Sequence, residues 1–240
     1  MIRLILALLI PVIVLAAEPI PADERAQMLA GFTAQIAKLD DAIKAAPESV
    51  RLYSQRGDAH LFLGHFAESV ADFEKMIALD PAQDAPHWRL GIAYYFTGAF
   101  AKSAGQFVKY HDHDGGDREN GIWKFLGDVK GPGLKPAREK MLPYTRFDRE
   151  PFPALYTMFA SGKTDDLFAE MKTKKLTENE AVMFFANYYA GLNEEILGHR
   201  EKALELLHKA VALGWNSRAG NEPSYMWQVA RLHYKVLSTK

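Results

Sequence analysis

The sequence contains no cysteine. That absence excludes disulfide staples, thiolate zinc sites, iron–sulfur clusters and cysteine nucleophiles. Charge of one sign is also lacking: 29 basic and 30 acidic residues leave a formal net charge of −1. So balanced a chain has no global attraction for DNA or RNA, and no nucleic-acid partner is expected. Proline and glycine, 12 and 17 of 240 residues, are too few for a collagen-like or low-complexity chain. Long apolar runs are missing except at the N-terminus. What remains, 48% apolar and 25% charged, is the balance of an ordinary globular domain.

The N-terminal run reads as an address. Met1-Ile2-Arg3 is a short basic start, residues 4–15 are almost wholly apolar, and Ala16-Ala17 precede Glu18. This order matches a secretory signal peptide over residues 1–17, with cleavage after Ala16 or Ala17. An apolar run of about 14 residues is too short to span roughly 30 Å of hydrocarbon as a helix. The mature chain is expected to be periplasmic or secreted, with no stable transmembrane helix. Retention of the segment as an N-terminal anchor is the alternative.

The rest of the chain repeats. Pro47 and Pro81, Gly57 and Gly91, and Gly64 and Gly98 are each 34 residues apart. Phe66 with Phe100, Ser69 with Ser103 and Phe73 with Phe107 keep the same interval. Inside each unit, apolar residues recur at helical spacing on both sides of a glycine turn. Gly57 suits a close approach of two helices, Gly64 supplies turn freedom, and Pro81 cannot continue a helix.

Residues 50–83 and 84–117 resemble tetratricopeptide repeats. The carriers are Tyr53, Arg56-Gly57, His60, Ser69, Phe73 and Pro81, then Leu90-Gly91, Tyr94, Ser103 and Phe107. The second copy ends on His113-Asp114-Gly115 instead of Asp-Pro. The resemblance implies an all-α, right-handed superhelical stack of antiparallel helix pairs, about five pairs within residues 22–240. Residues 32–47 read as the second helix of an earlier unit. Residues 118–176 form a diverged middle with helices near 119–130, 137–142, 152–160 and 165–171. Residues 181–214 read as a late repeat, with Gly191 and Gly198 and a capping box at Thr177-Glu178-Asn179-Glu180. An amphipathic helix at 224–237 is expected to cap the stack.

The order of these parts is similar to that of the NlpI-like bacterial periplasmic adaptors. The carriers are Gly91-Ile92-Ala93-Tyr94-Tyr95, residues 114–123, Pro153-Ala154-Leu155-Tyr156 and Asn187-Tyr188-Tyr189-Ala190-Gly191. That resemblance implies a scaffold that brings a partner to an envelope protease or peptidoglycan hydrolase. The lipid-anchor cysteine of that family is absent here.

In such a stack the first helix of each pair lines the concave face. One face of those helices carries Ser54 and Asp58, then Trp88 and Tyr95, then Tyr188, with Arg51 and Arg89 beside them. These seven residues are expected to line a groove for an extended peptide or a partner helix, with Trp, Tyr and Arg as anchors. The competing expectation is that the aromatics pack against neighbouring helices. A self-associating module, possible as a homodimer, would bury them between protomers.

Other motifs fall short. Residues 111–117 crowd His111, Asp112, His113, Asp114 and Asp117 together, but Trp123 stands where a calcium loop from Asp112 needs glutamate. A polar loop with Asp117 capping the next helix explains them. Ser161-Gly162-Lys163-Thr164 ends like a phosphate loop, yet Thr157 replaces its first glycine. No metallopeptidase, serine-hydrolase or cysteine–histidine pattern occurs. No enzymatic activity, metal or cofactor is therefore expected, and a protein or peptide partner is.

Overall fold

The computed structural model describes residues 18–213 and 222–239, and the expected signal peptide at 1–17 lies outside them. Twelve α-helices and one 3-10 turn (Pro81–Gln83) make up the described residues, with no strand. They are α1 Ala22–Ala45, α2 Val50–Leu63, α3 Phe66–Leu79, α4 Trp88–Phe96, α5 Phe100–His113 and α6 Arg118–Lys130. Then come α7 Leu134–Glu139, α8 Phe152–Ser161, α9 Thr164–Thr173, α10 Glu180–Ile196, α11 Arg200–Ala212 and α12 Glu222–Ser238. Helices adjacent in sequence pack against each other, as in a stack of tetratricopeptide-like pairs.

The 34-residue spacing has a physical cause in the packing. A Cβ built on Gly57 would fall 2.6 Å from the Phe73 ring, and one on Gly91 2.6 Å from the Phe107 ring. Each phenylalanine is fully buried where the other helix offers bare backbone. In the late pair, Leu207 fills the same place over Gly191, at 2.8 Å from such a Cβ. Gly64, Gly98 and Gly198 end the first helices in the left-handed region, with φ of 83°, 81° and 84°. Any residue with a Cβ is strained there.

Ionic ties reinforce the stack. Arg56 on α2 donates to both oxygens of Asp72 on α3, at 2.9 and 2.7 Å, and to Asp40 on α1 at 2.6 Å. This fork geometry is the strong form of a charged hydrogen bond.

Several expectations are adjusted by the structure. The helix read at 32–47 is the end of α1, 24 residues long, with Leu39 and Ile43 buried against Leu52, Tyr53 and Met76. The N-cap of α10 is Asn179, whose Oδ1 accepts from the Val182 amide at 3.1 Å. The short helix near 137–142 is α7 and begins earlier, directly after Gly133, whose φ of 100° excludes a helical continuation. Asp117 caps α6, accepting from the Glu119 amide at 2.9 Å.

Helix α12 departs most from expectation. It packs beside α11, where Trp227 Nε1 donates to the Val211 carbonyl at 3.0 Å. It then runs on across the first helices of earlier pairs. Tyr225 meets Phe62 and Trp88 edge-on, at centroid distances of 4.8 Å each. Arg231 donates to the Phe62 carbonyl at 2.5 Å, and His233 packs against Tyr95, Phe96 and Trp123. The helix thus fills the inner face of the stack instead of only closing its end. Met226, Trp227, Val229, Ala230 and Leu232 are all buried. Among the described residues, no helix is long and apolar enough to cross a membrane.

Candidate functional site

The inner face is where sequence reasoning placed a groove, and α12 decides how much of it is open. Tyr188 is fully buried, with its hydroxyl 2.7 Å from His233 Nδ1. Tyr95 is 9% exposed and packs edge-on to Trp123 and His233. Helix α12 lies against both rings and closes Tyr188 off, while Tyr95 keeps an edge on a second pocket with Phe100, Lys130 and His233. Ser54, Asp58 and Arg89 meet one another: Arg89 donates to Asp58 Oδ2 at 2.5 Å and to Ser54 Oγ at 2.9 Å. This trio ties α2 to α4. Burial raises the Asp58 carboxyl to about 6, against the pull of the Arg89 guanidinium. Arg51 is exposed on α2. Trp88 is half-buried, and its open side faces a pocket.

That pocket, about 360 Å³, lies beside α12, which contributes Met226 to its wall. Trp88, Trp123 and Phe185 supply aromatic surface, and Asp117, Glu119, Asn120, Arg149 and Glu150 supply the polar edge. Its lining comes from six places far apart in sequence: α4, α5, the start of α6 with its cap, the irregular segment before α8, α10 and α12.

A hydrogen-bonded chain runs along its floor. Trp123 Nε1 donates to the Tyr189 hydroxyl at 3.2 Å, and that hydroxyl donates to Glu119 Oε1 at 2.5 Å. The other oxygen of Glu119 accepts from Arg149 Nη2, also at 2.5 Å. Burial pushes the Glu119 carboxyl up to about 7, opposed by Arg149 and by the Tyr189 hydrogen bond, and aided by Asp117 and Asp148. Asp117 is raised as well, again chiefly by burial. Arg149 reaches Asp117 at 3.4 Å and Asp148 at 3.5 Å, with its guanidinium 4.2 Å from the Phe152 ring centroid. Aromatic walls with a few fixed polar groups suit recognition of a ligand part.

Glu119, Arg149, Asn120 and Glu150 were not among the residues expected to bind. Glu119 looks like any first-turn acid of a helix. Arg149 and Glu150 sit in a stretch without periodicity. Only Asp117 carried a sequence signal, as a cap. Among the described residues, no group of three or more His, Asp or Glu side chains is placed to hold a metal.

Comparison with known proteins yields little beyond the fold. No family model matches the chain. A stretch of 41 residues is 49% identical to part of a protein SGT1 homolog from Oryza sativa subsp. japonica, a tetratricopeptide-containing protein. The match covers 17% of this chain and 11% of that protein. It agrees with the all-helical, tetratricopeptide-like pairing and extends no further.

Proposed function

We propose that the chain is an exported helical-repeat scaffold that binds a segment of a partner protein and performs no covalent chemistry. The observation that carries this reading is the inner face itself. It already holds one helix of the same chain, α12, and beside that helix leaves an aromatic pocket with an ordered polar edge. A face that takes a helix in cis has the shape and apolar character to take a peptide in trans. The signal-peptide pattern at 1–17 supports export. The likeness to NlpI-like adaptors extends the proposal: the bound partner would be presented to an envelope protease or peptidoglycan hydrolase.

The test is selection of unstructured peptides from a displayed library on the immobilised full chain, wild type and Trp88→Ala in parallel. Retained peptides that lose binding to Trp88→Ala, while its melting transition persists, support the reading. No retention, or retention indifferent to Trp88, overturns it. A second reading, self-association, is favoured by Phe147, 77% exposed close to the pocket's Arg149. A concentration-dependent dimer in sedimentation, dissociated by Phe147→Ser, would support that reading over the open pocket.

A further inference from the structure

The pocket beside α12 specifies a ligand chemistry, and this step rests on the scaffold reading above. Among its described lining residues, Asp117, Glu119 and Glu150 face a single cation, Arg149. Arg149 is already engaged by Glu119, Asp117 and Asp148. Glu150 gives one oxygen to Lys174 at 2.8 Å, while its Oε2 is buried without a hydrogen-bond partner. Asn120, 4% exposed, lines the same pocket, and its Nδ2 is also buried and unpartnered. Buried polar atoms are nearly always paired in folded proteins. These two therefore mark where a ligand supplies the complement, a donor to Glu150 and an acceptor to Asn120. The indoles of Trp88 and Trp123 line the same pocket, surfaces that attract a cation and cover an alkyl stem.

We propose that this pocket receives a lysine or arginine side chain from an extended segment of a partner protein. The cationic head donates to Glu150 Oε2, in the field of Glu119 and Asp117. The alkyl stem lies against the aromatic walls. A main-chain carbonyl of the same segment accepts from Asn120 Nδ2. An acidic segment is disfavoured, because it would add negative charge beside three carboxylates whose cations, Arg149 and Lys174, are already paired.

The test titrates the full chain with the Nα-acetyl methylamides of lysine, arginine, norleucine and glutamate. The readout is the indole N–H resonances of Trp88 and Trp123. The lysine and arginine compounds are expected to shift both resonances and to bind about tenfold more tightly than norleucine, the ratio expected for one charge-assisted hydrogen bond. Glu150→Gln is expected to remove that advantage without moving the melting transition. If this variant fails to fold, the four compounds on the wild type decide alone. Equal binding of norleucine, tighter binding of glutamate, or silence of all four compounds overturns the basic side chain as occupant. Those results leave library peptides bound to the wild type, so the scaffold reading survives them. That reading fails separately, when no peptide is retained at all.

Discussion

The Tyr188 hydroxyl lies 2.7 Å from Nδ1 of His233, joining the first helix of the last pair to the C-terminal helix across the interior. Both groups are buried. Tyr188→Phe leaves the imidazole without this partner and is expected to lower stability by about 1–3 kcal/mol. Trp227→Ala removes a larger anchor of the same helix and is expected to cost about 3–5 kcal/mol. Urea unfolding of the two variants checks both values. An α12 that only closed the end of the stack would make the first loss negligible.

The close approach of paired helices yields a second expectation. Gly91→Ala drives a methyl into the Phe107 ring, at 2.6 Å. Overpacking of this kind is expected to cost about 1–3 kcal/mol. Gly105→Ala on α5 meets nothing within 4 Å. It is expected to stabilise by about 0.5–1 kcal/mol, since glycine is the poorer helix former. Opposite signs from one substitution type within one repeat are a sharp reading of the packing.

Arg89 separates support from recognition. It was expected to bind a ligand, but its guanidinium holds Asp58 and Ser54 across two repeats. Arg89→Met takes the paired cation away from the half-buried Asp58 carboxylate, and is expected to lower stability by about 1–3 kcal/mol. Peptide affinity measured by calorimetry is expected to stay unchanged where the variant remains folded.

Glu119 gives the fold a pH dependence with a definite sign. Its folded value of about 7 stands above the ordinary 4.5, with burial as the main cause. The unfolded chain therefore releases this proton first. The stabilising contribution is complete below about pH 4.5 and is lost as pH rises to about 7. The groups facing it are Arg149, Asp117, Asp148 and Tyr189. Relative to wild type, Glu119→Gln is expected to gain on the order of 1–3 kcal/mol between those two pH values. Thermal melts of both chains across that window measure the difference.

The helix pairs were legible because packing forces particular residues to recur. Glycine must stand where Phe73 and Phe107 press on a neighbouring helix, and again where the chain turns left-handed. These needs leave a 34-residue mark in the sequence. The site was less legible. Trp88, Tyr95 and Tyr188 show one helical pattern whether they face solvent or a neighbour. What separates them is α12, which comes from a remote part of the chain, packs against Tyr95 and closes off Tyr188 while leaving one side of Trp88 open. Glu119 and Arg149 meet only because the segment before α8 folds back over α6. No periodicity records that return.

The most direct test maps a library-selected peptide onto the full chain by backbone and indole chemical shifts. The expected result is a contiguous patch around Trp88, Asn120 and Glu150 that spreads to Met226 on α12. A patch on the outer helices α3, α5 and α11, with those pocket residues unmoved, would contradict the account.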